Sequence, residues 1–397
     1  MKVTQLHTLI NAVTQEILGE SGIIREDLSN VVDVGKLIID SDNVDNYVNK
    51  LVNHIGKVVF SDRLYAGGVP SVLMDSWEYG SILEKVSADL PEAIENATWQ
   101  LEDKADYNPN IFYQPSVSAK FFNSKVTFEI PLSFTERQVK ESFSSAAQLN
   151  GFVSMLTTAV ENSMTVKLDS LIMRTINNMV GETVFSELAT VDEQDDSVTW
   201  DFTATGPKAV NLLTLYNATV DSANAVTFAD ALTNADFIRY ATYVIGLYEA
   251  RISRISTLFN VEGKERFTPP SDLITVLLAD FSKASETFLA SNTFNDEKVT
   301  LPRHDSVPYW QGSGDNYVFE DVSRINVKTS SGNEVEIKGV IGVMFDRQAL
   351  GVANLNRRVT TNYNPKAEFY TNFYKFDAGY YNDLSENFVV FFIGEGE

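Results

Sequence analysis

The sequence contains no cysteine among its 397 residues and only three histidines, His7, His54 and His304. The absence of cysteine excludes disulfide bonds, thiolate metal sites and cysteine nucleophiles. No two of the histidines have the spacing of a metal-binding pair, and His7 and His54 fall on or beside predicted helix stripes. We therefore expect those two to be packed or surface side chains, and we expect extra stability to come from packing or from association between chains.

Motifs of catalysis are also missing. There is no HExxH zinc motif, no nucleophile elbow and no phosphate loop, and the cluster Gly312–Asp315 lacks the lysine and helix that follow such a loop. The acidic segment 191–196 lacks the spacing of a calcium loop and is predicted to be a solvated loop. Nothing in the sequence selects a catalytic pair from its 54 Asp and Glu residues. We assign no catalytic, cofactor-binding or metal-binding residue and expect no cofactor.

Basic residues are scarce as well. The chain has 31 Lys and Arg against 54 Asp and Glu, which gives a formal net charge of -23. This balance disfavours nonspecific attraction to nucleic acid and to anionic membranes. The first residues lack the basic segment and apolar run of a signal peptide, and no apolar run has the length of a membrane span. We expect the protein to be made and folded in a cytoplasm.

Apolar residues, by contrast, are plentiful. They make up 44% of the chain and include 25 Phe and 16 Tyr, which is enough for substantial cores. The first 57 residues carry two amphipathic helical stripes, at 4–18 and 42–55, joined by a poorly patterned segment. An arm with two apolar stripes and no domain of its own is expected to find its packing partner elsewhere.

A period-two pattern changes directly to a helical pattern between residues 116 and 181. Apolar residues alternate from Val126 to Phe134, and Pro131 within them predicts an edge strand because proline donates no ladder hydrogen bond. Thr135 and Gln138 predict a capping box. After a predicted break near Gly151, apolar residues at helical spacing extend to Val180, with Gly181 as the expected stop.

The remaining pattern predicts a mixed α+β fold. Residues 79–128 are predicted to form a long two-stranded excursion, which would be marginally stable without a neighbour. A helix is predicted at 234–254, and Asp280 is the expected cap of a short helix. Strands are predicted at 273–278, 335–337, 340–345 and 388–393, and the dense Phe and Tyr residues of 369–392 indicate a half-buried pleated surface.

Several short stretches, taken in order, are similar to a known family. They are Asp75–Gly80 before the excursion, Ala119–Phe122 and Thr135–Gln138 around the alternating strand, and Leu273–Asp280, Val340–Asp346 and Val389–Ile393 in the later part. With this layout the chain resembles the major capsid proteins of tailed bacteriophages, which have the HK97-type shell fold.

The resemblance covers the whole chain in layout, and it implies a division into parts. These are an N-terminal arm at 1–57, an extended loop with its base at 58–134, the spine helix of the peripheral domain at 135–185, a mainly axial domain at 186–340, and C-terminal strands shared by both domains at 341–397. The implied function is structural: copies of the chain assemble as hexamers and pentamers into an icosahedral shell around double-stranded DNA.

The same resemblance implies further partners and a location. The partners are other copies of the chain, a portal, scaffold or decoration proteins, and DNA that is enclosed without sequence-specific binding; no membrane is involved. The location is the virion, after assembly in the host bacterial cytoplasm. No crosslinking pair of the family can be matched to positions of this sequence.

Inter-subunit contact is the only site role assigned to particular residues. Lys85 and Lys120 are expected to make surface contacts in the excursion, and the adjacent Arg357 and Arg358 form the densest basic spot of the C-terminal third, which suits an acidic partner surface or plain solvation. The full set of candidates is Arg63, Trp77, Lys85, Lys120, Phe121, Phe122, Arg357 and Arg358.

Three other functions stay open at this point. An encapsulin has the same fold and encloses an enzyme cargo, but members tend to be shorter and no cargo groove is recognisable here. A soluble acidic enzyme with scattered carboxylates disagrees with the shortage of histidine and the unpartnered apolar stripes. A tail or baseplate protein predicts shorter repeated strands and no helix of this length.

Overall fold

The structure is a computed structural model. It describes residues 69–74, 82–91, 93, 101–105, 108, 110–135, 146–192, 197–290, 301–311 and 317–395, together with 11, 13–15, 33 and 34 near the start. The second predicted arm stripe, the predicted capping box beyond Thr135 and most of the first stripe lie outside these residues. Asn11 and Val13–Gln15, within the first stripe, are helical.

The described chain contains both helices and strands. The α-helices whose bounds lie within the described residues are α1 (Ala146–Leu188), α2 (Leu212–Asn217), α3 (Ala235–Ile252), α4 (Ala279–Ala290) and α5 (Phe319–Val322). The strands are β1 (Leu73–Met74), β2 (Leu83–Ala88), β3 (Val117–Phe122), β4 (Lys125–Thr135), β5 (Ala189–Val191), β6 (Val198–Trp200), β7 (Ala209–Asn211), β8 (Leu273–Leu278), β9 (Asp305–Val307), β10 (Ile325–Lys328), β11 (Glu334–Ile337), β12 (Val340–Asp346), β13 (Leu350–Asn364), β14 (Phe369–Asn382) and β15 (Phe388–Phe392).

The long helix α1 has 43 residues and is about 65 Å long at 1.5 Å per residue. It confirms the predicted long helix, but both predicted interruptions are wrong. The helix continues through Gly151 and through Gly181. At Gly181 the reason is packing: an added Cβ would overlap the Cγ2 atom of Val327 in β10, so the glycine permits a close approach rather than ending the helix.

The described chain divides into two compact units. The first comprises 1–76, 125–174 and 352–379, and the second comprises 77–124, 175–351 and 380–397. The first unit contains a sheet in the order β1-β13-β14-β4, in which β4 pairs antiparallel with β14 from Thr135↔Phe369 to Lys125↔Gly379. Strand β4 therefore lies at an edge of the sheet, as Pro131 predicts.

The second unit is built on a five-stranded sheet in the order β7-β15-β12-β8-β9. The continuous apolar runs that predict β8, β12 and β15 are confirmed, and these strands are almost entirely buried, as expected for strands covered on both faces. Helices α2 and α3 contribute to the same core, and α3 confirms the helix predicted at 234–254. Asp280 lies within the first turn of α4 rather than at its cap.

The predicted α+β fold class is confirmed. A long helix, a two-stranded excursion and mixed α and β units are the features that the HK97-type resemblance implies. Among the described residues, no helix is both long enough and apolar enough to cross a lipid bilayer.

Candidate assembly interface

Strands β2 and β3 form an antiparallel hairpin in regular register, from Leu83↔Phe122 to Ala88↔Val117. Beyond the strands, Asp89 and Ser116 continue the pairing, with a backbone hydrogen bond of 3.0 Å and a side-chain bond of 2.6 Å. The hairpin ends at Phe122, because the next strand, β4, pairs with β14 instead. The two-stranded excursion predicted at 79–128 is thus confirmed as a hairpin. Its second strand ends at Phe122 rather than at residue 128.

One face of the hairpin lies against the rest of the second unit. It is formed by alternate residues of both strands: Leu83, Lys85 and Ser87 from β2, and Phe122, Lys120 and Ser118 from β3. The ring of Phe122 lies 5.0 Å from the ring of Tyr381, and the two serine hydroxyls are 3.1 Å apart. Apolar contact at the base and charge in the middle therefore hold this inner face.

The charged part of the inner face converges on Asp383. Lys85 Nζ donates to Asp383 Oδ2 at 2.7 Å, and Lys120 Nζ donates to Asp383 Oδ1 at 2.9 Å. Lys85 also donates to Glu386 Oε1 at 2.7 Å, and Lys120 donates to Glu262 Oε1 at 2.6 Å. We call these five residues the clamp.

Asp383 is the buried centre of the clamp, with a side chain only 1% exposed. Burial by itself raises the pKa of a carboxyl group, but the hydrogen bonds from Lys85, Lys120 and Ser385 outweigh it and lower the pKa of Asp383 to about 2. The carboxylate is therefore ionised throughout the physiological pH range, which keeps both lysines paired.

The opposite face of the hairpin is mainly apolar, with Glu84 as its charged residue, and it points to solvent. Phe121 is 64% exposed, and Val86 and Val117 are exposed on the same face. Towards the tip the exposed apolar residues continue with Ile111, Tyr113 and Phe112, the last of which is 84% exposed. Several exposed apolar side chains in one excursion indicate a site of association with another molecule.

The structure assigns different surroundings to the four predicted contact residues in the hairpin. Phe121 lies on the exposed outer face, whereas Phe122 packs inward on Tyr381. Lys85 and Lys120, expected as surface contacts, make their ion pairs within the chain and are only partly exposed. The other two candidates of the N-terminal part, Arg63 and Trp77, lie outside the described residues.

The two adjacent arginines of β13 fall on opposite faces of that strand in the first unit. Arg358 is exposed and donates to Asp377 at 2.6 Å and 3.3 Å, while Arg357 is half-buried. Thr127 also donates to Asp377, and the hydrogen bond from Arg358 holds the pKa of Asp377 below its usual value. The pair therefore does not form a single basic spot.

The described part of the chain holds no group of three His, Asp or Glu residues placed to bind a metal ion. His304 is packed: its Nε2 lies 3.0 Å from the hydroxyl of Ser282, and its Nδ1 lies 2.8 Å from the carbonyl oxygen of Pro302. The other two histidines lie outside the described residues.

Sequence reasoning missed the acidic half of the clamp. Asp383 and Glu386 follow β14, and Glu262 lies in the segment between α3 and β8, so all three are more than 140 residues from their lysine partners. The sequence alternation places Lys85 and Lys120 on one face of the hairpin, but it does not show that this face is the covered one, because the opposite face is the more apolar of the two.

Three comparisons with known proteins add to this geometry. A family model described as Phi29-like phage major capsid protein matches residues 10–392. A search of curated proteins found no match.

Among solved structures, three similar chains cover most of this one. The capsid structure of Staphylococcus phage Andhra has 11% identity, a TM-score of 0.47, and coverage of 84% of this chain and 86% of that chain. A chain in the structure of head fiber and inner core protein gp22 of native bacteriophage P68 has 12% identity, a TM-score of 0.48 and the same coverage. The capsid structure of the cyanophage P-SCSP1u has 10% identity, a TM-score of 0.43, and coverage of 82% and 87%. Family membership rests on the family model alone.

Proposed function

We propose, for a chain that belongs to the Phi29-like family of phage major capsid proteins, that its copies associate as hexamers and pentamers into an icosahedral shell around double-stranded DNA. The protein is a structural component of the virion shell, as its family is. We assign it no catalytic role, and neither an encapsulin nor a soluble enzyme is favoured by this family membership.

The observation that carries the proposed assembly is the outer face of the hairpin. Its strands hold Phe121, Val86 and Val117 in one exposed apolar patch, while the inner face is already occupied by the chain itself. Burying such side chains yields about 1.5–3 kcal/mol each relative to exposure. A second copy of the chain is the partner that a shell protein encounters most often, so we propose that this patch packs on a neighbouring subunit.

We propose corresponding roles for the two units. The first unit, with the sheet of β4, β13 and β14, corresponds to the peripheral domain, and the second, with the five-stranded sheet, corresponds to the axial domain. The exposed Arg358 and half-buried Arg357 remain candidate contacts of the first unit. Arg63 and Trp77 remain candidate contacts near the start of the chain.

Charge supports the proposed relation to the other partners. A formal net charge of -23 repels DNA phosphates, so an enclosed genome would not be gripped by the wall, and no sequence-specific contact is proposed. We propose a portal and scaffold or decoration proteins as additional partners, because a closed shell needs an entry point and control of its size. Assembly is proposed to take place in the host bacterial cytoplasm.

Electron microscopy of particles from cells that express the chain tests the proposal directly. We expect thin-walled angular shells from the wild-type chain and their loss in the Phe121→Ser variant, because serine removes the largest apolar side chain of the outer face. DNA inside shells isolated from infected cells supports a genome container, whereas enzyme cargo points to an encapsulin.

Glu84→Gln is the matched control. Glu84 lies directly opposite Phe121 in the hairpin and on the same exposed face, but the change leaves the apolar patch intact. We expect this variant to form shells. Wild-type particles that stay small at high concentration would overturn the proposed function, and normal shells from Phe121→Ser would overturn the proposed contact.

A further inference from the structure

Strand pairing alone cannot stabilise the hairpin of β2 and β3. Lys85 and Lys120 lie directly opposite each other on the same face. Like charges at directly opposed positions destabilise a strand pair, and a two-stranded hairpin is marginal in water even without such repulsion. A third group must therefore hold the two ammonium groups together.

Asp383 supplies that third group, and contacts outside the hairpin hold it in place. The backbone N–H of Asp383 donates to the carbonyl of Ala349 at 2.7 Å. Ser385 donates to Asp383 Oδ1 through its backbone N–H at 3.1 Å and its hydroxyl at 2.7 Å. The carboxylate thus belongs to a turn between β14 and β15 that is anchored to the body of the second unit, and it offers one oxygen to each lysine.

The remaining contacts of the two lysines oppose tilting of the hairpin in either direction. Glu386 accepts from Lys85 and also lies 3.4 Å from Arg266 Nε, while Glu262 accepts from Lys120. Lys85 further donates to the carbonyl of Gln348 at 3.3 Å. Each lysine therefore binds Asp383 and a second carboxylate on its own side. A hairpin that tilted either way would lose one of these outer pairs.

We propose that Asp383 is the positioning residue of the hairpin: by binding Lys85 and Lys120 together, it fixes the angle of the hairpin on its own subunit and so sets the direction in which the outer apolar face meets a neighbouring copy. This inference rests on the proposed assembly function for its consequence, but the angle itself is a property of the single chain. Asp383 touches no neighbour in this scheme and acts through the two lysines.

A distance measurement in the unassembled chain tests the angle. The sequence has no cysteine, so Asp103→Cys near the hairpin tip and Asp221→Cys on the body, both at exposed positions, introduce the only two sites for spin labels. With Asp383 present we expect one narrow distance distribution by electron paramagnetic resonance. In Asp383→Asn, which keeps the shape of the side chain but removes its charge, we expect a broad distribution and loss of shells.

Two further variants make the test specific. Glu320→Gln removes a carboxylate that pairs with Lys338 at 2.7 Å elsewhere in the second unit, and we expect it to keep the narrow distribution. The double variant Lys85→Met, Lys120→Met removes the clamp from the hairpin side, without touching the turn, and is expected to broaden the distribution as Asp383→Asn does. It decides the question if Asp383→Asn fails to fold.

The outcomes separate the two proposals. An unchanged distribution in both clamp variants overturns the positioning role, and so does a broad distribution combined with normal shells. If the wild-type chain forms no shells, the proposed function fails, while the distance distributions still decide whether Asp383 sets the hairpin angle.

Discussion

Replacement of Gly181 by alanine should destabilise the second unit, although the same change usually stabilises a helix. Gly181 lies inside α1, where an added Cβ would overlap Val327 Cγ2 and lie 3.7 Å from Val327 Cβ and 4.0 Å from Val335 Cβ. Val327 is β-branched and has few alternative rotamers, so the helix and β10 must move apart to admit the methyl group. The glycine is therefore a packing residue.

Two opposing effects set the magnitude. Alanine is favoured over glycine within a helix by about 1 kcal/mol. Forcing an extra carbon into a packed contact costs about 1–3 kcal/mol. The net effect of Gly181→Ala on the free energy of unfolding is therefore expected to be a loss of about 0–2 kcal/mol.

Gly246→Ala provides the matched control. Gly246 lies within α3, and an added Cβ there would meet nothing within 4 Å. Only the helix preference operates at this position, so we expect a gain of about 1 kcal/mol. The free energies of unfolding of the two alanine variants should thus differ by about 1–3 kcal/mol. Both changes replace a helical glycine by alanine, so the difference reports the packing contact alone.

Thermal unfolding of the unassembled chain measures the difference. One kcal/mol shifts the melting temperature of a unit of this size by about 2–4 °C. We expect Gly246→Ala to melt above the wild type and Gly181→Ala to melt at or below it. Combining Gly181→Ala with Val327→Ala should cost less than the two single changes together. A rise in melting temperature for Gly181→Ala equal to that for Gly246→Ala would refute the close approach.

Three more predictions follow from single groups in the structure. The pKa of Asp383 is lowered to about 2, so its contribution of about 2 kcal/mol is complete above pH 3.8 and is lost as the pH falls through about 2; urea unfolding at a series of pH values should show the stability gap between wild type and Asp383→Asn closing over that range. Gly339 has φ of 74°, and an added Cβ would overlap the carbonyl oxygen of Ile393, so Gly339→Ala should lower the melting temperature by several degrees, and an unchanged value would contradict the close contact. The hydroxyl of Tyr374 is buried without a hydrogen-bond partner among the described residues, and burial raises its pKa to about 12; Tyr374→Phe should therefore leave the melting temperature unchanged or raise it, whereas a clear fall would reveal a partner for the hydroxyl.

Elements whose burial is determined by the local residue pattern could be predicted from the sequence. The apolar run of β8 is bounded by Pro269, Pro270 and Asp280, and its bounds agree with the structure because a strand covered on both faces needs no polar alternation. Pro131 placed β4 at a sheet edge for a similarly local reason, since a missing N–H excludes a central position.

Glycine was ambiguous in the same sequence. A glycine within an apolar helical pattern is consistent with a helix end and with a close contact, and only the partner distinguishes them. At Gly181 that partner is Val327, far along the chain, so the local pattern indicated a stop where the helix continues. Gly151 gave the same wrong indication.

Only the hairpin residues of the candidate interface could be predicted from the sequence. The alternation of β2 and β3 indicates which residues share a face, and it placed Lys85 and Lys120 in the hairpin. Their role required Asp383, which lies 298 and 263 residues away from them along the chain. No spacing rule connects such positions, because the contact is made by the tertiary fold.

Most hairpins cover their apolar face and expose their polar face, and this hairpin does the opposite. Its own chain covers the charged face and leaves the apolar face, with Phe121 and Val86, to water. A folded subunit therefore already exposes its apolar association surface. The concentration of the chain then determines whether copies assemble. We expect shells to appear above a threshold concentration, as micelles do, and added salt to lower that threshold by screening the net charge of -23.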